Sequence, residues 1–227
     1  MKRGFPILAI VTALLLSFGL YEALVAAPTE QTMGDVQRIF YYHVPSAWTA
    51  FLLFSINFVA SLIYLIWRNM KADILALASA EVGVVFCTVV LVTGPIWARP
   101  VWGIWWTWDL RLTLTLLLWL IYVSYLMLRR FSTSGQTPLL AAVLAVFGAL
   151  DIPLVYFSIW FFRTQHPSPV IGDGGSLDPR MARVLLINWA AFSCLAWLIC
   201  WTRYRLEVLK REVDEAQALE SLHEVSR

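Results

Sequence analysis

Charge is scarce in this chain. Of its 227 residues only 14% are Asp, Glu, Lys or Arg, where a soluble domain carries about a quarter. With 60% hydrophobic residues and a mean hydropathy of +0.71, an ordinary water-soluble globule is excluded. Cysteine is nearly missing too. Cys87, Cys194 and Cys200 are odd in number, sit in apolar runs and form no C-x-x-C pair, which fits small buried side chains and excludes a disulfide framework. A Gly-rich phosphate-binding loop is absent, so any ATP hydrolysis belongs to a partner. Histidine occurs three times, and neither an internal repeat nor a low-complexity tract is visible.

What is present is a series of long apolar runs. About 20 apolar residues span a bilayer's hydrocarbon, and six segments qualify: 5–27, 45–67, 74–97, 112–128, 138–162 and 182–202. The expected fold is an all-α integral membrane protein, a bundle of six transmembrane helices over residues 1–203. Its longer loops are 28–44, 98–111 and 163–181. Residues 204–227 form a charged tail, in which Leu206, Leu209, Val213, Ala216, Leu219 and Leu222 recur at helical spacing, so a short amphipathic helix is expected there.

Basic residues orient the bundle. Lys2, Arg3, Arg68, Lys71, Arg129, Arg130, Arg203, Arg205, Lys210, Arg211 and Arg227 fall on one side; Arg38, Arg99, Arg111, Arg163, Arg180 and Arg183 fall on the other. The richer side faces the cytoplasm. Both termini are therefore expected inside and the three longer loops outside. Val25-Ala26-Ala27 resembles a signal-peptidase site, but the apolar stretch before it is too long for a signal peptide's core and reads as an uncleaved helix.

The densest feature is Trp97, Trp102, Trp105, Trp106 and Trp108, five tryptophans in twelve positions, followed at once by Asp109. An interfacial belt accounts for one or two tryptophans per helix end. A cluster suits a large, flat, apolar ligand with a charged edge, and haem is the candidate. The absent C-x-x-C-H means that such haem is not attached covalently to this chain. His43 and His166 lie in outward loops on either side of the tryptophan loop in sequence. Taken singly, each is an ordinary surface histidine; as a pair on one face they form candidate axial iron ligands. Pro45 suits a first helical turn and sets His43 just before the second span. His223, in the tail, receives no role.

Propionates at a membrane face call for arginine, whose planar fork binds carboxylates. Arg38 and Arg111 are the first choices, with Arg99 and Arg163 behind them; ordinary interfacial arginine is the alternative. Asp109 is expected to orient an arginine or an indole N–H rather than to bind iron. Tyr41 and Tyr42 are belt residues or weaker ligands. Ionisable groups inside spans are costly. Asp151, two residues before Pro153, suggests a kink with a satisfied interhelix hydrogen bond or a polar opening. Glu81 suggests a helix seam or a partner interface, and Glu22 a snorkelling side chain.

The string Trp102-Gly103-Ile104-Trp105-Trp106-Thr107-Trp108-Asp109, continuing through Arg111 and Thr113, resembles the tryptophan-rich WWD signature of membrane haem-handling proteins. With the segments Arg38 to Trp48 and Arg163 to Pro167, it is similar to the haem exporter protein C family of the cytochrome c maturation system, along essentially the whole chain. The resemblance implies a protein of the bacterial inner membrane that holds haem b as cargo on its outer face. His43 and His166 would bind the iron axially. The tryptophan motif would form a platform, and the haem would pass to a periplasmic haem chaperone. It further implies an ABC-type complex with an ATPase subunit, a second membrane subunit and a small single-span protein. Membrane lipid surrounds it, and no nucleic acid is expected. The chain itself would make no bonds and so would not be an enzyme.

Two rival classes stay open on the residues. A membrane b-type cytochrome usually buries facing histidines within spans, and here no predicted span interior holds one. A scaffold or permease subunit would use the tryptophans only as an anchor, or would itself move haem across the bilayer.

Overall fold

The computed structural model describes residues 4–162, 164–167 and 177–225. Arg163 and residues 168–176 of the third outward loop lie outside them, as do Lys2, Arg3 and Arg227. The described chain is all-helical: α1 Gly4–Tyr21, α2 Phe40–Trp67, α3 Met70–Trp102, α4 Leu110–Phe131, α5 Thr137–Ala149, α6 Asp151–Phe161 and α7 Pro179–Val225. Six helical segments are long and apolar enough to cross a membrane.

α2 and α3 form a tight antiparallel pair joined by two residues. Arg68 adopts φ +53°, closing α2 through its N–H to the Tyr64 carbonyl at 2.8 Å, and Asn69 Oδ1 caps α3 by accepting from the Lys71 N–H at 2.9 Å. α2 also packs on α5 and α7, and α4 on α3, α5 and α6. The core between them holds Leu53, Phe54, Phe86, Leu118, Tyr122 and Ala145, with Phe54 and Tyr122 stacked at 3.8 Å between centroids. α1 packs chiefly on α7, where Asn188 Nδ2 donates to the Gly19 carbonyl at 3.3 Å. A Cβ at Gly19 would approach Asn188 Oδ1 to 2.9 Å, so glycine is what lets these helices meet.

Several sequence expectations shift. α2 begins at Phe40, because Asp35–Ile39 is already a 3₁₀ turn that feeds it. His43 is thus helical and buried, not in a loop ahead of the helix. α3 runs through Pro95 and Pro100 to Trp102, five residues past its expected end, since membrane helices tolerate proline. Trp97 and Trp102 are therefore helical. The fifth span breaks at Leu150, and Asp151 is the first residue of α6. Pro153 removes the N–H that would bond the Ala149 carbonyl, which favours a break at this point. Asp151 is buried, and among the described residues neither of its oxygens accepts a hydrogen bond, so the expected interhelix bond is not formed. Glu22 does not snorkel: it is buried and takes Arg183 Nη2 at 3.0 Å. The tail is not a separate helix, since span and tail form one 47-residue α7.

α3 and α7 run antiparallel with an ionic register. Arg203 grips Glu81 through two bonds of 2.7 Å, and eight residues further along each helix Arg211 Nη2 meets Asp73 at 2.8 Å. Asp73 is also held by Arg129 at 2.6 and 2.7 Å, which ties α4 into the same junction.

Candidate haem site

The site forms where the outer ends of α2, α3, α4 and the 164–167 loop converge. His43 lies one turn into α2, only 8% exposed. Its Nδ1 is 2.9 Å from Thr93 Oγ1 on α3, and that hydroxyl donates to the Val89 carbonyl at 2.7 Å. With its proton so committed, Thr93 acts as acceptor. This assigns the proton to Nδ1 and leaves the lone pair on Nε2. Trp97 closes on the imidazole edge to face at 5.7 Å. Gly94 leaves the ring room: a Cβ there would already touch Cε1 at 3.4 Å.

His166 repeats the pattern with a different acceptor. Its Nδ1 is 2.9 Å from the Pro167 carbonyl, which can only accept, so Nδ1 again carries the proton and Nε2 is left as a donor atom for a metal. Burial, with the Arg111 charge nearby, pushes this imidazole down to about 4, so it is neutral at ordinary pH. Neutral imidazole is the form that ligates. His166 and Arg111 both lie within electrostatic reach of His43.

Asp109 holds the two outer loops together. Its Oδ1 caps α4 by accepting from the Leu112 N–H at 3.0 Å. Its Oδ2 accepts from Thr107 Oγ1 and from the Gln165 N–H, each at 3.3 Å. The carboxylate expected to orient an arginine or indole thus bonds a helix end and the residue beside His166. The turn between α3 and α4 depends on Gly103, whose φ of +79° belongs to the left-handed region. Its N–H bonds the Arg99 carbonyl at 3.0 Å, and the Arg99 guanidinium returns to the Gly103 carbonyl. Arg99 is used within the turn.

The tryptophans divide. Trp97 packs beside Phe40 in a cluster with Tyr41, Met181 and Leu185. Trp105 and Trp108 are 59% and 76% exposed, and Trp108 meets Trp106 edge to face at 5.8 Å. The indole N–H groups of Trp97 and Trp106 are buried with no acceptor among the described residues, which marks a place for an acceptor from a ligand.

The two first-choice arginines differ. Arg38 is occupied, its Nε on Asp35 at 3.0 Å and its Nη1 on the Ala23 carbonyl at 2.8 Å, where it ties the start of α2 to the end of α1. The Arg111 side chain makes no hydrogen bond or ion pair among the described residues, and it lies within electrostatic reach of Asp109 and of both histidines. One contributor was not identified from sequence: Thr93 is a lone hydroxyl in an apolar run.

These residues fit a haem: two neutral imidazoles with Nε2 unused, exposed indoles, two buried N–H donors and an uncommitted guanidinium. A family model described as Heme exporter protein C matches residues 1–219 of the chain. Heme exporter protein C of Bradyrhizobium diazoefficiens is 36% identical over 222 residues, covering 96% of this chain and 84% of that protein. The Escherichia coli protein of the same name is 32% identical over 205 residues, with 90% and 82% covered. A putative cytochrome c biosynthesis ccmC-like mitochondrial protein of Marchantia polymorpha is 31% identical over 179 residues, with 78% and 76% covered.

Proposed function

Because this chain belongs to the heme exporter protein C family, a membrane family of haem transport and cytochrome c biogenesis, we propose that it holds haem b at the outer face of the bacterial inner membrane. In this reading both termini are cytoplasmic, and the haem passes to a periplasmic haem chaperone. The chain works within an ABC-type complex that includes an ATPase subunit, a second membrane subunit and a small single-span protein. It catalyses no bond-making of its own.

The observation that carries the reading is the shared state of His43 and His166. Each has Nδ1 committed to an oxygen, each leaves Nε2 unused, and both neighbour Arg111. Oxygens that accept from Nδ1 in this way orient metal-bound histidines. Haem supplies an iron with two axial positions, for which His43 and His166 would provide nitrogen donors. Arg111 would meet a propionate, Trp105 and Trp108 would offer apolar faces to the ring, and the Trp97 and Trp106 N–H groups would donate to its polar edge. Asp109 holds the His166 loop against the tryptophan turn, so the two ligands come from separate elements braced to one another. A cargo site must release as well as hold. Drawing one ligand from a loop gives it a ligand that can yield without disturbing the bundle.

The test is the visible absorption spectrum of the purified protein beside His43→Ala and His166→Ala. A Soret band with six-coordinate low-spin features in the parent, altered or lost in both variants, is expected. Haem indifferent to both substitutions would overturn the ligand assignment.

A further inference from the structure

The end of α7 carries a feature the haem site does not use. After Arg203 the helix continues without a break for some twenty residues, about 30 Å at 1.5 Å per residue. Leu206, Leu209, Val213 and Ala216 fall within one side of it by helical spacing, and all four are exposed, the first three by half or more. Leu219 and Leu222, still more exposed, wind progressively off this side. An exposed apolar row of this length on a charged helix is a contact surface.

Charge indicates what covers it. The base of this extension is cationic, with Arg203, Arg205, Lys210 and Arg211 against Glu207; residues 212–225 contain no Lys or Arg but hold Glu212, Asp214, Glu215, Glu220 and Glu224. The cationic base suits anionic lipid headgroups, and the acidic remainder is repelled by them. The helix therefore stands away from the bilayer. A second copy lying alongside would set the same carboxylates against one another. The base is also fixed in direction: Arg211 is held by buried Asp73, which Arg129 grips from α4, and by Glu207 at 2.9 Å.

We propose that residues 206–216 of α7 form a braced docking helix for a cytoplasmic protein whose surface offers an apolar groove edged by basic residues. The proposal rests on the cytoplasmic C-terminus put forward above, and it is independent of the haem ligands.

The experiment uses the full chain in native membranes, with a photoreactive residue at Leu209, at Val213 or at Ala218 on the opposite side. Leu209 and Val213 are expected to capture the same cytoplasmic protein at a site containing Lys or Arg, with several-fold less capture from Ala218. The combined variant Glu212→Lys, Asp214→Lys, Glu215→Lys should lower capture roughly tenfold, as a few partly screened ion pairs allow. Adducts between two copies, adducts with lipid alone, no adduct, or capture indifferent to charge reversal would each overturn the proposal. A membrane-impermeant thiol reagent on Ala218→Cys reports the topology: labelling only after the membranes are opened supports it, and labelling from the outer side overturns it. The Soret band of every variant should match the parent, which separates failure here from failure of the haem reading.

Discussion

Thr93 Oγ1 lies 2.9 Å from His43 Nδ1 across fifty residues of sequence, and its own proton is spent on Val89. The hydroxyl therefore selects which nitrogen of the buried imidazole is left for a metal. Thr93→Val removes that acceptor at nearly constant volume. Haem affinity should fall 10- to 100-fold, the usual effect of losing such a partner. Thr93→Ser should restore most of it. Haem titration followed at the Soret band reads both.

Arg111 offers its guanidinium beside two histidines without a bond of its own among the described residues. Arg111→Ala should weaken haem binding about tenfold, as losing one charge-assisted contact does. Arg111→Lys should recover part of this, because it keeps the charge without the planar fork. Equal affinity in all three proteins would remove Arg111 from the site.

Acid should act through His166. A free histidine takes its proton near 6.5, but this one does so only near 4. Between those values the unfolded loop binds a proton that the folded loop refuses, so folding loses stability as pH falls through that window. Above pH 6.5 the contribution is constant. Haem retention should be flat from pH 8 to 6.5, weaken gradually below, and collapse near pH 4, as read by spectra across a pH series. Loss of haem between pH 8 and 7 would contradict this assignment.

Asp109 performs two separable tasks. Asp109→Asn keeps the helix cap through its single amide oxygen but sets an NH2 where Oδ2 accepted from the Gln165 N–H, so stability should stay close to the parent's while haem affinity falls. Asp109→Ala should cost about 1 kcal/mol of stability through the cap and also loosen the His166 loop. Thermal unfolding and haem titration on both variants separate the tasks. If Asn lowered stability as much as Ala, the carboxylate charge itself would be what the cap needs.

Asp73→Ala should be the most destabilising of these changes. It leaves Arg129, and in part Arg211, buried without the carboxylate they share, and breaking such a buried pair costs about 3–5 kcal/mol. A melting temperature within a degree or two of the parent's would show that water replaces it freely.

The spans were legible because the length of an apolar run is a direct response to bilayer thickness. Their ends were less so. Pro45 marks a helix start by local rules, but the 3₁₀ turn at Asp35–Ile39 is set by Arg38 reaching back to Ala23, a contact between two helices. The apolar run 74–97 ends before Pro100, and the bundle carries α3 through that proline to Trp102. At the site, the histidines, tryptophans and arginines were visible as rare residue types in a dense pattern. Thr93 was not: a threonine in an apolar helix normally bonds its own backbone, as this one does, and only packing brings His43 to its other side. The division between Arg38 and Arg111 was hidden for the same reason, since it turns on which guanidinium the fold has already engaged.

α7 starts at Pro179, packs through Met181, Val184 and Leu185 into the cluster that holds Tyr41 and Trp97, and ends at Val225 with no break. At 47 residues it is about 70 Å long. Its first half is held along its length, by Arg183 on Glu22 and Asn188 on Gly19, and Arg203 and Arg211 fix the point where it leaves the bundle. The direction in which the charged end projects is thus set by the same helix that packs behind His43.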